Sequence, residues 1–139
     1  MFTVLYLVVV FAALLGLGFA ALNFFGVKKL SEGTEKMQKT AAAIRLGANT
    51  FVMYELKIIA VVAVVVAIVL GVLVSWQAGV AFIIGATMSE CAGFIGMKIA
   101  TYANVRVTNT ARESKHIGKT LQVAFRGGSV MGLCVAGFA

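Results

Sequence analysis

Apolar and polar stretches alternate along the chain on the scale of whole helices. No charged residue occurs from Met1 to Val27. That is long enough for one membrane helix, which needs about 20 apolar residues to cross about 30 Å of hydrocarbon. The stretch has no basic start and outruns the apolar core of a signal peptide, so it is predicted to be a span and not a cleaved leader. Charge is absent again from Ile58 to Ser89, too long for one upright helix and too short for two. Ser75-Trp76-Gln77-Ala78-Gly79 interrupts this run. Tryptophan and glutamine suit a membrane interface, and glycine suits a tight turn. The pattern predicts spans at 2–27, 56–76, 79–103 and 120–139, joined by polar loops at 28–55 and 104–119. The predicted fold class is all-α transmembrane: four helices in one polytopic domain, part of a larger multi-span bundle.

Two finer patterns lie within these segments. Thr34 is placed to cap a helix, with Glu35 favourable at its N-terminal dipole. Met37, Ala41, Ile44, Ala48 and Phe51 then recur at helical spacing, predicting an amphipathic helix that lies on the membrane or packs on neighbouring spans. Small residues recur every four positions in all four spans: Ala12, Gly16, Ala20; Ala63, Ala67, Gly71; Ala81, Gly85, Ser89, Gly93; and Gly128, Gly132, Ala136. Such stripes let helix backbones approach closely in lipid, so each span is expected to use its stripe against a neighbour.

Composition agrees with a membrane protein. Of the 139 residues, 61% are hydrophobic and 12% charged, with 15 glycines and no proline; a soluble domain carries about 25% charge. Net charge is +7. Ten of the twelve basic residues fall in the two long polar segments or, for Lys57, just past the end of the first, and none in the 75–79 turn. The positive-inside rule then places both loops in the cytosol and the N-terminus and short turn outside. The basic residues are not interleaved with aromatics as a single-strand-binding groove would need, so no nucleic-acid partner is implied. Cys91 and Cys134 lack metal-ligand or disulfide-framework spacing and read as small buried hydrophobes.

The fourth apolar stretch, counted from Gly127, spans about 20 Å of helix. It stops without a polar flank or interfacial anchor, which predicts an N-terminal piece of a longer protein.

Ionisable residues inside a span are functional candidates by default. There are three: Glu90, Lys98 and Arg126. Lys98 and Arg126 have long side chains that reach the interface or pair between helices. Glu90 lies eleven residues past Gly79, roughly 17 Å along the helix and near the midplane, where a glutamate cannot reach the interface. It is expected to face the protein interior, as a structural group or as a proton or cation relay. His116 and Glu113 stand beside Arg112 and Lys115 without a catalytic pattern. No Ser-His-acid arrangement, P-loop or HExxH is present.

Three segments resemble a known family. Glu32-Gly33-Thr34-Glu35-Lys36-Met37, with Ala43-Ile44-Arg45 and Gly47-Ala48, is similar to the first cytosolic loop of the ion-translocating membrane pyrophosphatases. The run Ala92 to Thr101, then Ala103-Asn104-Val105-Arg106, resembles their third span and the loop after it. Leu121 to Gly132 resembles the start of their fourth. The resemblance implies a multi-pass protein of the cell membrane, a homodimer, that hydrolyses pyrophosphate and pumps protons or sodium. It implies magnesium ions, and admits potassium, bound outside this segment. The family's aspartate-rich motifs lie on later spans, and this chain contains no aspartate. No catalytic, cofactor-binding or metal residue is therefore carried over. Glu90 departs from the small residue usual at its place. The competing readings from the residues alone are a complete small four-span cation or drug transporter, or a structural membrane subunit.

Overall fold

The computed structural model describes residues 2–138. It contains four α-helices: α1 (Phe2–Lys28), α2 (Glu35–Leu73), α3 (Trp76–Ser114) and α4 (Ile117–Phe138). All four are long and apolar enough to cross a membrane.

The helices run further than the hydrophobic pattern predicts. The α2 and α3 helices have 39 residues each, about 58 Å apiece and well beyond the hydrocarbon thickness. The expected loops at 28–55 and 104–119 are thus mostly helix, and the linkers shrink to 29–34 and 115–116. The reason is local. The chain has no proline to break a helix. The Thr34 hydroxyl accepts from the Met37 N–H and starts α2, after which the amphipathic segment joins the second span without a stop signal. The turn between the second and third spans is also shorter than 75–79. Ser75 is the N-cap of α3, accepting from the Ala78 N–H, so Trp76 to Gly79 is helical. At the other end Lys115 closes α3 in the left-handed conformation, φ 50°.

Packing follows α3. It lies against both α2 and α4, and α1 rests mainly on α4. Ala20 and Val27 of α1, Ala92, Ile99 and Ala103 of α3, and Val130 and Cys134 of α4 form the shared core.

Glycine permits the close approaches, but partly at other positions than the stripes predict. A Cβ on Gly79 would stand 2.7 Å from the Ala67 carbonyl oxygen and 3.3 Å from the Gly71 backbone. The Ala63-Ala67-Gly71 stripe is therefore engaged. On α3 and α4 the contacts are instead made by Gly96 against Met131 and by Gly127 against Ala103, each with 2.8 Å to a hypothetical Cβ. Gly85, Gly93, Gly128 and Gly132 meet nothing within 4 Å. Ala81, Ser89 and Ala136 are exposed with them. Spacing alone does not say which of two small-residue faces a helix turns to a given neighbour.

Candidate functional site

The densest polar cluster lies where α1 passes into α2, at the end of the bundle opposite the Ser75 turn. It is built on one face of α3, where Tyr102, Arg106, Asn109 and Glu113 follow at helical spacing. Arg106 is 4% exposed and Asn109 2%. The Arg106 guanidinium donates to three backbone carbonyls: Leu30 at 2.9 Å, Lys28 at 3.0 Å and Tyr102 at 2.8 Å. The first two belong to the last turn of α1 and the linker, whose carbonyls lack helical partners.

Glu32, in the linker, answers this charge. Its carboxylate lies 2.9 Å from Arg106 Nη2 and 2.6 Å from Arg45 Nη2 of α2. The hydrogen bond from Arg45 is the largest influence holding the Glu32 carboxyl below its ordinary value. Partial burial works against that, and the charges of Arg45 and Arg106 add to it. Asn109 completes the clamp by donating to the Ser31 carbonyl at 3.4 Å. Its side-chain oxygen would lie 2.5 Å from a Cβ on Gly33, which also has φ +83°. Only glycine fits there.

The Tyr102 ring is ringed by cations. Arg45 stacks at 4.3 Å from its centroid, with Arg106 at 5.5 Å and Lys28 at 5.6 Å. Chemically this is a clamp. Glu32 is held ionised, so at neutral pH it has no proton to donate.

The three intramembrane candidates do not meet one another. Lys98 donates to Asn49 Oδ1 on α2 at 2.8 Å, an interhelical bond, with its ammonium 5.3 Å from the Phe94 ring. Arg126 is exposed, next to Gly127, which packs on Ala103. It therefore stands level with the residue at which the third span was expected to end. Glu90 is half-buried. It is fourteen residues into α3, about 21 Å from Trp76. It makes no hydrogen bond or ion pair among the described residues. His116 is exposed at the α3–α4 corner.

Sequence reasoning placed Arg106 among the loop cations and in a family-like segment without giving it a structural role, and did not single out Asn109, Tyr102 or Asn49. The available signal was the four-three-four spacing from Tyr102 to Glu113, which puts Arg106, its partner Tyr102 and the bonded pair Asn109 and Glu113 on one helix face.

The three segments that carry the family resemblance come together in space. The first meets the second through Glu32, Arg45 and Arg106. The second meets the third through Gly96 with Met131 and Ala103 with Gly127. The sequence profile of the family described as inorganic H+ pyrophosphatase matches residues 14–139. The chain belongs to that family.

Among similar proteins is a K(+)-stimulated pyrophosphate-energized sodium pump of Thermotoga maritima. It is 55% identical over 126 residues, covering 91% of this chain and 17% of the pump. A K(+)-insensitive pyrophosphate-energized proton pump 2 of Moorella thermoacetica is 46% identical over 78% of this chain and 16% of its own length. A K(+)-insensitive pyrophosphate-energized proton pump of Methanosarcina mazei is 38% identical over 92% of this chain and 19% of its own length. The chain thus spans less than a fifth of each of these three pumps.

Magnesium, which the resemblance implies for the family, does not fit these residues. Among the described residues no three His, Cys, Asp or Glu side chains gather where a metal could sit. Glu32 is held by two arginines, Glu35 pairs with Lys39 and Glu113 with Arg112. No step of a metal-assisted reaction is assigned to this segment.

Proposed function

We propose that this chain is the N-terminal, outer-ring part of a membrane pyrophosphatase. The full-length protein hydrolyses inorganic pyrophosphate and couples that to proton or sodium transport. The family match over residues 14–139 carries the reading, together with relatives named as pyrophosphate-energized pumps of both ions. In this reading magnesium is the required metal, bound by carboxylates of other spans, and potassium stimulates turnover as in the sodium-pump relative's name. The protein is a multi-pass homodimer of the cell membrane.

The orientation has the N-terminus and Ser75 outside and the Glu32–Arg106 clamp in the cytosol. What supports it is the excess of Lys and Arg toward the clamp end. The segment's own role is architectural: it fixes two helical hairpins at a defined register so that later spans assemble on them. Lys98 and Arg126 hold cytosolic helix contacts and headgroups, and Glu90 is a structural group.

The test is direct. Inside-out vesicles carrying the full-length protein are expected to hydrolyse pyrophosphate only with magnesium, and to accumulate protons or sodium as they do. Hydrolysis without ion uptake, or no hydrolysis at all, overturns the reading. So does a natural stop codon directly after Ala139.

A further inference from the structure

We propose that the cleft between α1 and α2 is a binding site for one anionic phospholipid, with the phosphate at Lys28 and Arg45 and an acyl chain running along α3. The proposal rests on these helices crossing a membrane and is independent of the pyrophosphatase reading.

The cleft follows from the packing. The α1 helix rests on α4 and α3, and α2 rests on α3; α1 and α2 do not touch each other among the described residues. The two are joined only by the 29–34 linker at one end. Between them, α3 is left facing the bilayer. Beside it, on the α1 side, runs an apolar crevice of about 270 Å³, lined by Leu17, Ala21 and Phe24 of α1 and Ile95 of α3 and floored by Val130 and Cys134 of α4. Tyr102 lies two turns further along the same side of α3, and its ring meets the Phe24 ring at 6.4 Å. The crevice therefore leads to the ring that Lys28, Arg45 and Arg106 surround.

Charge then selects the occupant. Three cations surround Tyr102, and Glu32 is the carboxylate that answers them. Arg45 spends Nη2 on Glu32, while its Nε is shut off from solvent with no partner. The phosphate contacts are therefore left to the rest of that guanidinium and to Lys28. Lys28 is exposed, its ammonium 5.6 Å from the same Tyr102 ring. The depth also suits a headgroup. Tyr102 is about 39 Å along α3 from Trp76, which a tilted helix brings to the far headgroup layer when Trp76 marks the near interface. An apolar helix in the same cleft would leave the surplus positive charge uncompensated.

The experiment uses the full-length protein in detergent, and native mass spectrometry reads how much lipid each subunit retains. Probes are phosphatidylglycerol and phosphatidylcholine with the same acyl chains, and inorganic phosphate as a competitor. Wild type is expected to retain one phosphatidylglycerol in preference to phosphatidylcholine. Lys28→Gln, which removes an exposed charge, is expected to weaken retention about tenfold, the loss of one charge-assisted contact. Ala21→Phe, which fills the crevice, is expected to weaken it without changing charge. Equal retention of the two lipids, or no effect of either variant, overturns the proposal. Displacement by inorganic phosphate at equal concentration overturns it in favour of a free-anion site. No retained lipid overturns it in favour of another span filling the cleft. None of these readouts depends on pyrophosphate hydrolysis, so failure here and failure of the pump reading are separate results.

Discussion

Arg106 Nη2 lies 2.9 Å from Glu32 Oε1 and 3.0 Å from the Lys28 carbonyl oxygen, so one buried guanidinium ties the third helix to the end of α1 and to the linker that leads into α2. A carboxylate removed from such a pair leaves a buried charge behind. Glu32→Gln is expected to destabilise the full-length protein by about 2 kcal/mol, less than for a fully enclosed pair, because Glu32 keeps 22% of its side-chain surface exposed. Arg106→Lys is expected to cost more than its retained charge suggests, since an ammonium lacks the planar fork that reaches several carbonyls at once. Thermal unfolding in detergent measures both. A lysine variant as stable as wild type would show that the clamp needs only charge.

The same pair sets an acid response. Glu32 titrates below its ordinary value of 4.5, chiefly because of the Arg45 hydrogen bond. A group whose pKa is lowered by folding contributes stability that is complete above its unfolded pKa and is lost as pH falls through the folded one. The 29–34 linker is therefore expected to stay closed at neutral pH and to loosen below pH about 4.5. Hydrogen exchange of the linker amides across pH, corrected for intrinsic rates, reports this. Glu32→Gln is expected to abolish the linker's acid step, and a step that survives in that variant assigns it to another carboxylate.

Gly79 is a place where the helices have no room. A Cβ there meets the Ala67 carbonyl oxygen at 2.7 Å, and backbone cannot move aside cheaply. Gly79→Ala is expected to spread the α2–α3 hairpin and cost about 1–3 kcal/mol, the range for overpacking. Gly47, whose Cβ meets nothing within 4 Å, is the control. Alanine there is expected to be neutral or to stabilise by up to about 1 kcal/mol through helix propensity. Equal effects at the two positions would mean that the hairpin contact is not a close one.

The contrast between these glycines shows what the sequence could and could not convey. Four helices were legible from hydrophobic run length, because the bilayer thickness imposes it. The Thr34 cap was legible from its side chain, and the charge asymmetry from counting. The lengths of α2 and α3 were not, because a helix continues past the membrane wherever nothing stops it, and polar residues alone do not. The choice between Gly93 and Gly96 on α3 depends on where α4 sits, which is a tertiary fact. The Glu32–Arg45–Arg106 cluster depends on a register between three helices, and only the spacing on α3 hinted at it.

Glu90 offers a last discrimination. It is half-buried on α3 and has no hydrogen bond or ion pair among the described residues, whereas Lys98, eight residues on, is bonded to Asn49. An ionised carboxylate in that setting carries a desolvation cost with nothing to offset it. If this segment supplies all of its surroundings, Glu90→Gln is expected to raise the full-length protein's stability by about 1 kcal/mol and to leave ion transport per pyrophosphate unchanged. Lower stability with intact transport would place its partner on a later span. Loss of transport with hydrolysis retained would make Glu90 a relay for the pumped ion and reverse the structural assignment made above. Thermal unfolding and coupled flux on the same vesicle preparation distinguish the three outcomes.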